Sequence, residues 1–293
     1  MIFAEKLKTL RKEKNISQEQ LAEKIHVSRQ AITKWESGNG IPDIENLIAI
    51  SALFKESLDS LLSEEKSLMS KQEFLYESRT EYDLDCQKRI DLRLGWAHEV
   101  IIEKTNDEKI QVIAASNKLS FLAQQVKVKI DEDKKRMDVL VKHSADLSEI
   151  AALENLFILV RVPVKFVADV ELSGQFENLK VRDIIFDDIE FDGKAKNVFV
   201  TNASGHLELN TNSNLMLEVS EARGKIDLNH LRAVSKITFG EGQNYYLKNA
   251  GRFTRFVDAS GKVLAGKREK KDPEETVDLI VELNGWKAEA QVV

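Results

Sequence analysis

The sequence predicts a multidomain α + β chain, a small helical domain followed by a larger all-β domain built as a β-solenoid. Two observations carry that expectation. From Met1 to about Ser63 apolar residues recur at helical spacing, interrupted by Ser and Gly residues suited to helix ends. From Ile90 onward apolar and polar residues alternate instead, and one strand pattern returns four times. The domains are expected at 1–63 and 90–293, joined by a charged segment, 64–89, that reads as a helical linker.

The helical part begins with a helix from about Phe3 to Lys14. Ser17 then caps a second helix, and Gln20 three residues later completes a capping box. Ile16 and Leu21 are spaced to close a hydrophobic staple across that cap. Leu21, Ala22 and Ile25 form its apolar stripe. After a three-residue turn Ser28 caps a third helix, with Val27 and Ile32 as the matching staple. Ile32 and Trp35 point inward, which leaves Arg29, Gln30, Thr33 and Lys34 facing outward. Two short helices in this relation form a helix-turn-helix, whose second helix enters the DNA major groove. Gly38 and Gly40 break the chain afterwards, and Asp43 caps a fourth helix, IENLIAISALF.

The words SQEQLAEK, VSRQAITKWESG and PDIENL, in this order, resemble the Cro and lambda-repressor-like domains of the xenobiotic-response-element family of bacterial and phage regulators. The resemblance covers residues 1 to about 63. It implies a five-helix domain, with a short fifth helix, SLDSLL, starting at Ser57. His26 stands in the tight turn where that family often has Gly; it must adopt a left-handed conformation, which His tolerates better than most residues. The resemblance also implies roles. Ser17 and Gln18, at a helix N-terminus, would grip phosphate. Ser28 caps the recognition helix. Arg29, Gln30 and Lys34, with Thr33 beside them, would read base edges, Arg or Lys pairing with guanine and Gln with adenine. Asn39 would meet the DNA backbone.

Charge agrees with a local interface. The chain carries a net charge of −6, yet residues 1–40 hold eight Lys and Arg against five Asp and Glu. Residues 41–63 hold one against four, and the rest of the chain 34 against 40. DNA binding is therefore expected on one face of the first domain, and it should be salt-sensitive. A single cysteine, Cys86, fits a reducing cytoplasm. No signal segment or apolar run long enough to span a bilayer is read, so the expected location is cytoplasmic with no membrane partner.

In the linker, Leu61, Leu68, Leu75 and Tyr82 fall at heptad spacing, a weak dimerising stripe. Beyond it, IDLRLGWAHEVIIEKT and EKIQVIAAS read as strands joined by a turn at Asn106-Asp107. VKVKIDE and RMDVLVK read as a hairpin. ADVELSG, DDIEFDG, GHLELNT and GKIDLNH then repeat one pattern, their central residues Val170, Ile189, Leu207 and Ile226 spaced 19, 18 and 19. A second arm follows each, beginning at Asn178, Asn197, Asn214 and Val234. Such a period fits one rung per turn, with the repeats over about 168–240. Alternation puts Val170, Leu172, Ile189, Phe191, Leu207, Leu209, Ile226 and Leu228 inside, and Glu171, Glu190, Glu208 and Asp227 in an outward column. Asn178, Asn197 and Asn214 are expected to stack as an amide ladder. The repeats resemble the adhesin-like β-solenoid domain of many bacterial proteins, from which no functional residue carries over.

Catalysis finds no support. His26, His98, His143, His206 and His230 show no metal-ligand spacing, and there is no phosphate-binding loop, no GxSxG and no cysteine pair. No cofactor is expected. The sequence thus predicts a transcriptional regulator, a repressor binding double-stranded DNA at an inverted repeat as a homodimer. Its β domain would oligomerise or sense a small-molecule or protein effector. The alternative is an antitoxin-like protein or scaffold whose β domain binds a protein partner.

Overall fold

The computed structural model describes residues 2–14, 16–54, 74–163, 165–264 and 277–293. The chain divides into two units, Met1–Glu73 and Phe74–Val293.

Four helices are described in the first unit: α1 (Ile2–Glu13), α2 (Gln18–Lys24), α3 (Arg29–Glu36) and α4 (Ile44–Phe54). The caps act as the sequence requires. The Gln20 amide donates to Ser17 Oγ at 3.1 Å, and the Ser17 amide donates to Gln20 Oε1 at 2.7 Å, closing the capping box. The Ala31 amide donates to Ser28 Oγ, and the Asn46 amide to Asp43 Oδ1. Leu7, Leu21, Ile25, Ile32, Trp35 and Ile50 form one buried cluster, with Ile16 and Val27 packed against it from the two staples. His26 takes φ 59°, the left-handed turn its position demands. The expected fifth helix lies outside the described residues.

The second unit is a 14-stranded sheet system. It opens with β1 (Tyr76–Asp83), β2 (Lys88–Thr105) and β3 (Lys109–Ser116). The linker reading is corrected here: residues 76–83 form a strand, antiparallel to β3, rather than a helix. Leu75 and Tyr82 therefore lie before and within that strand, and Leu61 and Leu68 lie outside the described residues. The strands β2 and β3 follow one another in sequence, yet each pairs with β6 (Phe157–Pro163), β2 parallel and β3 antiparallel. Between them in the chain come a short helix α5 (Leu122–Gln125), the antiparallel hairpin of β4 (Val126–Glu132) and β5 (Arg136–His143), and α6 (Glu149–Asn155).

From here the named strands pair in parallel, with register shifts in β2 between Lys88 and Ile90 and between Arg93 and Gly95. The long β7 (Val167–Asn210) lays Ile90 of β2 beside Val170 and Leu92 beside Leu172. It then pairs Asn197 with Met216 of β8 (Met216–Ser220), and Leu207 with Ile226 of β9 (Arg223–Leu231), each partner 19 residues on. β8 pairs with β10 (Val234–Phe239). The last rungs come from β11 (Tyr245–Asn249), β12 (Arg255–Asp258), β13 (Leu279–Trp286) and β14 (Glu289–Val292), with β13 on β9 and β14 on β10. All eight inward residues named from the repeats are buried. At the tight corners a side chain cannot fit: a Cβ on Gly224 (φ +104°) would stand 2.2 Å from the Gly205 carbonyl oxygen.

Two ladders differ from the sequence reading. Asn197 donates to Asn178 Oδ1 at 2.9 Å, but Met216, not Asn214, stands opposite Asn197. Asn214 instead accepts from the Val234 amide. A second amide column, which the sequence did not signal, pairs Asn210 with Asn229 and Asn229 with Asn284. The carboxylate column extends further than its repeats, because Asp91 stands beside Glu171 and Glu282 beside Asp227. Its ends are neutralised, Asp91 by Arg93 and Arg136, and Asp227 and Glu282 by Lys225. In its middle Glu190 accepts from Asn210. Burial, then Asp192, Glu208, Glu171 and Asp188, push its carboxyl above the ordinary range. Among the described residues no group of acidic, His and Cys side chains is arranged to hold a metal ion.

Candidate nucleic-acid interface

The recognition-helix face is built on a fixed frame. Arg11 of α1 donates through Nε and Nη2 to Glu36 at the end of α3, at 2.6 and 3.0 Å, and through Nη1 to the Ile16 carbonyl. Gln18 of α2 donates to the other side of this cluster, to Glu36 Oε2 at 2.8 Å. Thr33 Oγ donates to Gln18 Oε1 and to the Arg29 carbonyl, at 3.2 and 3.1 Å. Four side chains thus tie three helices. Burial pushes the Glu36 carboxyl up, but hydrogen bonds from Arg11 and Gln18, with the charges of Arg11 and Lys8, outweigh it and hold the carboxyl below its ordinary value. Arg11 is raised by the same contact.

The residues expected to meet DNA fall into two groups around this frame. Ser17 and Ser28 are helix caps, their hydroxyl oxygens already accepting backbone amides. Gln18 is half-buried and engaged at both ends of its side-chain amide, so what α2 offers an anion is its N-terminal backbone more than a free side chain. Thr33 braces Gln18. Asn39 donates to Ser37 Oγ just past the helix, its own amide closing on the Lys34 carbonyl. Arg29, Gln30 and Lys34 are different. All three are exposed, and among the described residues their side chains make no hydrogen bond or ion pair. They occupy the first, second and sixth positions of α3, so Gln30 and Lys34 share a face one turn apart.

Sequence reasoning named the exposed residues but missed Arg11 and Glu36. The signal was present as charge on inward faces: Glu36 follows Trp35 at the buried edge of α3, and Arg11 lies one turn beyond Leu7.

The helix-turn-helix family model matches residues 7–61. Within that span α2 and α3 form the helix-turn-helix. Over 66 residues the chain is 56% identical to the HTH-type transcriptional activator BcrR of Enterococcus faecalis, covering 22% of this chain and 32% of that protein. It is 41% identical over 66 residues to the uncharacterised HTH-type transcriptional regulator YqaE of Bacillus subtilis, covering 22% and 57%. It is 39% identical over 61 residues to the cryptic phage CTXphi transcriptional repressor RstR of Vibrio cholerae, covering 21% and 54%. The matched part therefore spans about a third to just over half of these relatives. A crystal structure described as a cell-adhesion protein of Clostridium sporogenes aligns with 74% of this chain and 99% of its own, at 7% identity and a TM-score of 0.35. Among the described residues no helix is long and apolar enough to cross a membrane.

Proposed function

We propose that the protein is a sequence-specific transcriptional regulator that binds double-stranded DNA through α3. The observation that carries this reading is the division of labour on the helix-turn-helix. Its frame is closed by internal hydrogen bonds, while Arg29, Gln30 and Lys34 stay exposed with their hydrogen-bonding groups uncommitted. Arg29 and Lys34 suit the O6/N7 edge of guanine and Gln30 the N6/N7 edge of adenine. Ser17 and Gln18 at the N-terminus of α2 approach phosphate, Ser28 caps α3, Thr33 lies beside the base-reading residues, and Asn39 meets the DNA backbone.

A single module makes few base contacts, so the proposal includes a homodimer on an inverted repeat. Support comes from the surface of the first unit: Ile44 and Ile48, one turn apart on α4, are 66% and 53% exposed, and Ile41, just before that helix, is 76% exposed. Three isoleucines fall well short of the roughly 800 Å² per partner of a standard interface. The dimer is accordingly completed elsewhere or closed on DNA. Repression is the sign proposed, since occupying an operator needs no further activity. The parallel ladder of the second unit is proposed to be a β-solenoid that oligomerises or senses an effector.

Footprinting on the DNA upstream of the protein's own gene, and a promoter fusion to that DNA, test the reading. A symmetric footprint lost in Arg29→Ala, with reporter output rising in the same variant, is the expected result. A footprint insensitive to Arg29, Gln30 and Lys34 together contradicts it.

A further inference from the structure

One corner of the last rungs differs from the rest of the second unit. Parallel pairing lays Leu231 beside Trp286 and Trp286 beside Arg252, and lays Val234 beside Glu289 and Glu289 beside Arg255. Between these pairs the chain turns three times through left-handed backbone, at Arg232 (φ 59°), Lys287 (φ 55°) and Phe253 (φ 60°). The corner so formed is both basic and apolar. Phe253 is 75% exposed, with Leu231 at 52% and Val234 at 46%. Around them stand the exposed cations Arg232, Arg252 and Lys287. The Glu289 carboxylate, beside Lys287 in the same turn, is held by Arg255 at 2.6 Å. In a chain of net charge −6 this is a local reversal of sign.

We propose that this corner docks on an anionic lipid surface, with Phe253 and Leu231 entering the interface and Arg232, Arg252 and Lys287 meeting lipid phosphates. Exposed apolar side chains ringed by cations are what such a surface binds, and the electrostatic attraction acts within a Debye length. The geometry favours lipid over nucleic acid. The Trp286 ring carries both Arg232 and Lys287, at 4.8 and 4.5 Å from its centre, so it is not an open platform for a base. Leu231 and Val234 are aliphatic, and a phosphodiester backbone would leave them in water. Phe253 and Lys287 also line an open concavity with Thr254, Arg255, Ala288 and Glu289. Such docking needs no membrane-spanning segment, so the sequence expectation of no membrane partner, drawn from the lack of one, does not bear on it.

Flotation of the full-length protein with vesicles tests the proposal. The protein should float with vesicles of phosphatidylglycerol in phosphatidylcholine and not with phosphatidylcholine alone. Partitioning should fall about fivefold in Lys287→Gln, the loss expected for one interfacial cation, and at least as far in Phe253→Ser, with thermal melts unchanged. Absence of flotation on anionic vesicles by natively melting protein overturns the proposal, as does flotation undiminished in both variants. Retention of Arg29→Ala protein on an operator-free duplex, dependent on Arg232 and Lys287, would give the corner to nucleic acid and equally overturn it.

Discussion

Arg11 and Glu36 face each other across the helix-turn-helix through two hydrogen bonds, 2.6 and 3.0 Å long, with side-chain exposures of only 14% and 4%. The pair fixes α3 against α1, and through Gln18 it fixes α2 as well. Orientation of the recognition helix is thereby set before any DNA arrives.

Removing one partner leaves the other charge nearly buried and unpaired. Arg11→Met is expected to destabilise the first unit by about 2–4 kcal/mol, measured by urea denaturation. Because the folded-state pKa of Glu36 is depressed, its contribution is complete above the unfolded value of 4.5 and is lost as pH falls through the lower folded value. Stability of the first unit should therefore decline below about pH 4.5, and less steeply in Glu36→Gln.

His26 sits at φ 59° with its side chain exposed. His26→Gly should relieve the left-handed penalty and raise stability by about 0.5–1 kcal/mol, read as an upward shift of the melting temperature.

The repulsion at the centre of the carboxylate column predicts a stabilising change. Glu190→Gln keeps an oxygen to accept from Asn210 while removing the like charge beside Glu171 and Glu208. We expect a gain of about 0.5–1 kcal/mol at neutral pH. The sign is opposite to that of Glu36: the folded-state pKa of Glu190 is raised, so its charge costs stability as pH rises through that value. The gain should vanish in acid, where thermal melts of both proteins converge.

Gly224→Ala drives a Cβ against the Gly205 carbonyl oxygen at a backbone angle that side-chain residues rarely adopt. A loss of more than about 2 kcal/mol is expected for the second unit, by calorimetry.

What the sequence made legible was whatever is encoded locally. Caps at Ser17, Ser28 and Asp43 are written within four residues of the amides they satisfy. The 19-residue recurrence likewise fixes which side chains enter the second unit's core, because alternation and period leave one inward set. Contacts across many residues were less readable. Gln18 has the composition of a phosphate contact, and only its distance to Glu36 shows that its amide is engaged. The strand β1 was hidden by charge and by a coincidence of sevens between Leu75 and Tyr82. Its alternation of Tyr76, Ser78 and Thr80 with charged residues was the signal, and pairing with the buried β3 decided the outcome. Met216 takes the place of Asn214 in the amide column because Asn214 falls 17 residues after Asn197, two short of the 19-residue register.

The central claim is that Arg29, Gln30 and Lys34 read sequence from a preset helix. Selecting bound duplexes from a random pool at near-physiological salt, with full-length protein and with Arg29→Ala, tests it most directly. The account predicts an enriched inverted repeat with half-sites about one helical turn apart, and about 1–3 kcal/mol less discrimination at one position per half-site in the variant. Equal enrichment by both proteins, or none by either in the presence of cell extract, would contradict it.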